Sequence, residues 1–157
     1  MCKLCWASSA VLLAVVLALV YMFVIRGAVE EADDGRTAIL LSSGERNLVL
    51  AEMRGFLESV QEIIEAVVEN DMKAIVKSTH NVGMANAQGV PASLMGKLPL
   101  EFKKLGMATH QAFDDLGMEA KDMGDGALVM KKLGKLLQNC TACHASYRLE
   151  AEKTGAK

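Results

Sequence analysis

Five residues close to the C-terminal end have the types and spacing to do chemistry together: Cys140-Thr141-Ala142-Cys143-His144. Cys-x-x-Cys-His is the attachment pattern of a covalently bound haem. Two thiols form thioethers to the porphyrin edge and the adjacent imidazole ligates the iron. On a helix, positions i, i+3 and i+4 lie on one face, so Cys140, Cys143 and His144 can address one flat macrocycle. A bare Cys-x-x-Cys also suits a redox dithiol or half a zinc site. Neither explains the His directly after the second Cys, and no second Cys pair lies downstream to complete a zinc site.

The elements that must hold such a motif are constrained by composition. A chain of 157 residues amounts to one domain plus appendages. It is 52% hydrophobic but only 4% aromatic, so its core must be filled by Leu, Val, Met and Ala, or by a cofactor. A haem is a large apolar body that could take that role. Setting aside Lys3 and Arg26, 15 basic residues face 19 acidic ones. That mild negative balance argues against nucleic acid as a partner. The sequence has no nucleophile–base arrangement, phosphate loop or further metal cluster, so a hydrolase or transferase has no support and the expectation is a non-enzyme.

Between Lys3 and Arg26 lie 22 residues without a charge. As a helix they span about 33 Å, enough for a hydrocarbon core of roughly 30 Å. A cleaved secretory signal is the competing reading. The run is long for one, and its exit, Phe23-Val-Ile-Arg-Gly-Ala28, places Arg26 at the −3 position of the one plausible cleavage site. Residues 1–27 therefore read as an uncleaved signal anchor that exports the remainder of the chain. Cys2 and Cys5 repeat the Cys-x-x-Cys spacing, but no His succeeds Cys5, so they read as idle thiols. Residues 28–43, with Glu30-Glu31 and Asp33-Asp34, read as an acidic tether, and 44–157 as the exported domain.

That domain reads as four helices. Ser42-x-x-Glu45 has the capping-box pattern, and Val49, Met53, Phe56, Val60, Ile63 and Val67 then recur at spacings of 4 and 3, a helical seam. Leu50, Leu57, Ile64 and Val68 widen this apolar face. Asn70 or Asp71 breaks the first helix and caps a second, which runs to about Ala87. Gln88–Pro99 is a connection holding both prolines, with Pro99 in the first turn of the third helix. That helix carries Phe102, Leu105, Thr109, Phe113, Leu116 and Ala120 on one stripe. After the Asp122–Gly126 turn, with Asp125 as N-cap, the last helix runs Leu133, Leu136, Cys140, Cys143, Tyr147. No strand alternation is apparent, and the pattern predicts an all-α, antiparallel four-helix bundle preceded by one transmembrane helix.

The stretch Leu133-Gly-Lys-Leu-Leu-Gln-Asn-Cys-Thr-Ala-Cys-His-Ala-Ser-Tyr-Arg148 resembles the C-terminal helix of the cytochrome c′ family, the class II c-type cytochromes. In that family the haem motif sits in the last helix of a four-helix bundle and is followed by an aromatic residue and an Arg, here Tyr147 and Arg148. The resemblance extends over about residues 44–153 in helix count and motif position, and at residue level over the last helix. The N-terminal anchor and the thin aromatic content depart from the family pattern. The resemblance implies one haem c linked through Cys140 and Cys143, with His144 as proximal ligand. It also implies attachment outside the bacterial cytoplasmic membrane, hence a periplasmic haem domain, and a homodimer as a common family state. The implied partners are redox proteins of a membrane electron-transfer chain.

In the family the first helix supplies the distal side of the haem. Members carry either an apolar distal residue, leaving five-coordinate iron open to NO or CO, or a Met ligand giving six-coordinate iron. Counting back from the end of the first helix selects Met53; counting forward from Arg46 selects Leu50. Met53 is the favoured ligand, although gap-filling in a core is the commonest use of Met. Electron transfer is the consequence of Met ligation, and gas handling that of an open site at Leu50. A peroxidase would need a polar group over the distal face. His110 is the one loose candidate, and its simpler reading is a surface pair with Asp114. His80 reads as exposed. Arg148, with Arg46 or Arg54, is a candidate partner for haem propionates, because a guanidinium fork matches a carboxylate.

Overall fold

The computed structural model describes residues 3–152. About 75% of it is helical, in six helices. The first, α1 (Lys3–Val20), passes into a wider π-helical turn over Tyr21–Arg26. The 21 residues Trp6–Arg26 are exposed, long enough and apolar enough to cross a membrane, a test that a signal sequence also passes. Cys2 and the Cys5 side chain lie outside what the structure describes. The exit from this segment is fixed rather than free. Gly27 takes φ 68°, where a side chain would strike the Lys97 carbonyl, and the Ala28 N–H donates to that same oxygen at 2.8 Å.

Residues 28–43 do not form a tether. They contain β1 (Val29–Glu31) and β2 (Thr37–Leu41), an antiparallel hairpin with Val29 opposite Ile39. The turn between them closes through Gly35 at φ 79° and an Ala32 N–H bond to the Arg36 carbonyl. β3 (Tyr147–Ala151) pairs parallel to β2, Thr37 opposite Tyr147, to complete a three-stranded sheet in the order β1-β2-β3. Ile39 and Leu41 are fully buried. The expectation of no strands is thus corrected: apolar Tyr147 and Leu149 alternate with charged Arg148 and Glu150, a period of two. The strand ends the last helix at Ser146.

The helices begin where their caps dictate. In α2 (Ser43–Val68) the Ser42 backbone N–H donates to Glu45 Oε2 at 2.9 Å and the Ser42 hydroxyl accepts from the Glu45 N–H, a complete capping box. Asn70 takes φ 56° to end the helix, and Asp71 caps α3 (Met72–His80) through the N–H groups of Lys73 and Ala74. α3 stops at His80, short of Ala87, because the Asn86 amide donates to the His80 and Asn81 carbonyls. The expected connection 88–99 contains a short helix, α4 (Ala92–Lys97). α5 (Leu100–Asp122) starts directly after Pro99, and α6 (Gly126–Ser146) starts at the Asp125 cap.

α2, α3, α5 and α6 surround the larger core cluster, built on Val60, Ile63, Ile75, Phe113, Leu116, Val129, Leu133 and Leu136. Close approach of α3 and α5 depends on Gly117, which lies against Thr79 where a Cβ would collide. Leu57, Ile64 and Val68, expected to widen the apolar face of α2, are exposed instead. A second cluster joins the sheet to the helices: Ile39, Leu41, Val49, Leu94, Leu98 and Phe102, with Met53, Cys143, Tyr147 and Leu149 packed against it.

Candidate functional site

The motif occupies the last turns of α6, where the helix gives way to β3. Cys140 and Cys143 are free thiols, both partly buried. Burial raises both thiol pKa values, with Cys140 adding to the effect at Cys143. These are protonated, unactivated thiols, unlike the lowered pKa of an attacking redox cysteine.

A cavity of about 200 Å³ opens beside the motif, lined by Cys143, His144, Leu50, Met53, Arg46 and Arg148, together with Arg36, Phe102, Tyr147 and Leu149. Both rival distal positions of α2 therefore face the same space as the motif's imidazole. The structure does not bring the two sulfurs to that space. Cys140 continues the helical seam and packs against the larger core, whereas Cys143 packs against the second cluster.

The arginines reach the site from three elements. Arg148 bonds Asp33 at 3.1 Å and Asp34 at 3.3 Å through Nη1, and Glu150 at 2.9 Å through Nε. Arg46 Nε donates to the Leu149 carbonyl at 3.3 Å. Arg36 donates to the His144 carbonyl at 3.3 Å and forks onto Asp34. Its guanidinium holds the Asp34 carboxyl well below its ordinary value, at about 2. Arg54 is exposed and does not line the cavity. Helical periodicity does not single out Arg36. The signal for it is the Asp34-Gly35 hairpin turn, which folds back beneath the end of α6.

His110 departs from expectation. It is 5% exposed and does not pair with Asp114, which instead accepts from the Met84 N–H at 3.0 Å. Its Nδ1 lies 2.7 Å from the Val82 carbonyl and its Nε2 3.2 Å from Glu52 on α2, with Phe56 edge-on at 5.0 Å. It is absent from the lining of the motif cavity, so distal ligation by His110 has no geometric support. His80 is exposed, as expected.

For a haem, the residue types on the cavity fit in part: the Cys143 thiol, the His144 imidazole, a thioether across the space and three guanidiniums for acidic side chains, while Cys140 packs against the larger core away from it. The space is small. Ligand sites commonly measure about 300–1,000 Å³, so accommodation would require Phe102 and the second cluster to yield. Among the described residues there is no group of three or more His, Cys, Asp or Glu side chains placed to hold a different metal.

Fold and site together define a mostly helical protein with one N-terminal helix fit to cross a membrane and a thiol–imidazole cavity at the end of its last helix. Comparison with protein-family models, curated proteins and solved structures finds no match to this chain.

Proposed function

We propose that this chain is a membrane-anchored c-type cytochrome whose exported domain is a cytochrome c′-like four-helix bundle with an added sheet. It carries one covalent haem in the bacterial periplasm and passes single electrons between redox proteins of a membrane chain. The observation that carries this reading is the convergence of Cys143, His144, Leu50, Met53 and three arginines on one cavity.

When bound, the haem supplies reversible one-electron chemistry at its iron. The chain does the rest. Cys140 and Cys143 would fix the group covalently and His144 would supply the proximal imidazole. Arg46, Arg36 and Arg148 match carboxylate geometry. Phe102, Leu149 and Leu50 give the cavity an apolar wall. Met53 offers a thioether, which as an iron ligand would raise the reduction potential and exclude diatomic ligands. Leu50 lines the same cavity, and its use as the distal residue is the second reading, a gas-binding protein for NO or CO.

The ferric absorption spectrum separates the two. Electron transfer predicts a low-spin spectrum with a thioether charge-transfer band, lost in Met53→Ala. A high-spin ferric spectrum with rapid CO uptake by the reduced protein would establish the gas-binding alternative.

A further inference from the structure

A second, larger cavity of about 430 Å³ lies between α2, α5 and the 81–98 connection. Its walls are mainly apolar, including Leu48, Phe56, Leu94, Met95 and Met107, and its volume falls in the range of small-molecule sites. Two glycines inside helices, Gly55 and Gly106, lie on its wall. A Cβ on Gly106 would meet nothing within 4 Å. Glycine in a helix interior costs roughly 0.5–1 kcal/mol relative to Ala, so folding alone does not favour it there.

Of the polar side chains on this lining, Asn86 is engaged with the His80 and Asn81 carbonyls and Lys103 with those of Phe23 and Val24; Asn81 and the buried His110 with Glu52 complete the set. The Val82 carbonyl can only accept, so the 2.7 Å contact places a proton on Nδ1. Nε2 then meets the Glu52 carboxylate at 3.2 Å, two acceptors unless a proton lies between them. Burial alone would lower the His110 pKa. Glu52, the Val82 carbonyl and Asp114 outweigh it and raise it. Both ring N–H groups are occupied by these contacts, and Glu52, whose side chain is 38% exposed, keeps acceptor capacity that solvent or a ligand can use. A ligand that satisfies it must donate. The formal charges of Glu52 and Lys103 on the wall cancel, and the Lys103 ammonium is engaged by the Phe23 and Val24 carbonyls, so the lining favours neither an anion nor a cation. What fits is a neutral hydroxyl on an apolar body.

The cavity also has an address. Lys103 Nζ donates to the carbonyls of Phe23 and Val24, at 3.4 and 3.2 Å, at the end of the membrane-spanning stretch. Phe23 also lies against Gly96 of α4. The α4 and α5 walls therefore stand where the chain leaves the bilayer.

We propose that this cavity binds a lipid-soluble, neutral hydroxyl compound of the alkylphenol or quinol class, entering from the membrane and donating its hydroxyl to Glu52. The proposal rests on the membrane-anchor reading of the N-terminal helix and not on the haem. The full-length chain, made with cytochrome maturation and placed in phosphatidylcholine nanodiscs, is labelled with a 4-alkylphenol bearing a diazirine in its tail. Crosslinks are expected at Leu48, Met95 or Met107. Unlabelled 4-octylphenol should suppress them at a concentration at least tenfold below that of octylbenzene. Glu52→Leu should abolish that tenfold preference, and Gly106→Phe should abolish the crosslinks in a variant that still melts cooperatively. The same pattern is expected in a Cys140→Ala/Cys143→Ala chain, which separates this cavity from the haem reading. Crosslinks confined to α1, or equal suppression by both competitors, would overturn the proposal.

Discussion

The two core clusters of this protein are built on different rules. The larger is local in character: each helix brings a stripe at spacings of 3 and 4, and Phe113, Leu116, Val129 and Leu133 meet with almost no exposed surface. The second is assembled from residues far apart in the chain. Ile39 and Leu41 come from the hairpin, Leu94 and Leu98 from α4 and its C-terminal cap, Phe102 from α5, and Cys143 from the motif. Both cavities border the second cluster, through Phe102. In this molecule the regular core supports, and the irregular one carries the space where chemistry can occur.

That contrast can be broken by mutation. Phe113→Ala, in the larger cluster, should cost about 3–5 kcal/mol and unfold the whole domain earlier, as read by urea denaturation. A loss below about 1 kcal/mol would deny this cluster its supporting role. Ile39→Ala, in the second cluster, should cost about 2–5 kcal/mol with a different signature. Amides of residues 37–41 and 147–151 should lose hydrogen-exchange protection first, while those around Val129 and Leu133 keep it. Uniform loss across both sets would make the two clusters one cooperative unit.

Acid should sharpen the same contrast with a smaller effect. Lys97 and the Ser42 backbone hold the Glu45 carboxyl at about 2, from an ordinary 4.5. Arg36 does the same for Asp34, to about 2 from 3.8. A carboxyl depressed in the folded state stabilises it above its unfolded pKa and loses that contribution as pH falls through the folded one. Asp34 holds the hairpin turn through Arg36 and Glu45 ties α2 to Lys97 of α4, so the sheet end of the molecule should loosen between about pH 4.5 and 2 while the larger core persists. Glu45→Gln should remove part of this pH dependence and cost under about 1 kcal/mol at neutral pH. Hydrogen-exchange protection of residues 37–41 and 147–151 against far-ultraviolet circular dichroism across that range would check it.

The same division explains what could be read from the sequence. Caps and stripes are local signals, so Ser42, Asp71 and Asp125 mark helix starts correctly, and of the α5 stripe Phe102, Thr109, Phe113, Leu116 and Ala120 are buried while Leu105 is only partly so. The hairpin is masked by its acids: Glu30, Glu31, Asp33 and Asp34 look like solvated tether, although Asp34-Gly35 is a turn signal between Val29 and Ile39. The parallel pairing of β2 with β3 joins Thr37 to Tyr147 across nearly the whole chain, and no local pattern announces it. Of the site, Leu50, Met53, Arg46, Cys143, His144 and Arg148 do line one cavity. Arg36 escapes because it arrives on the unseen hairpin, and Cys140 because it serves the other core. The His110–Glu52 contact joins α5 to α2 across packed faces, which helical spacing within α5 alone could not disclose.

The central claim rests on covalent attachment at the end of α6, and intact mass with the pyridine haemochrome spectrum tests it most directly. Made in a host with working cytochrome maturation, the chain should carry the added mass of one haem that survives denaturation and acid–acetone extraction, and Cys140→Ser/Cys143→Ser should carry none. A colourless, unmodified chain from that host would contradict the account.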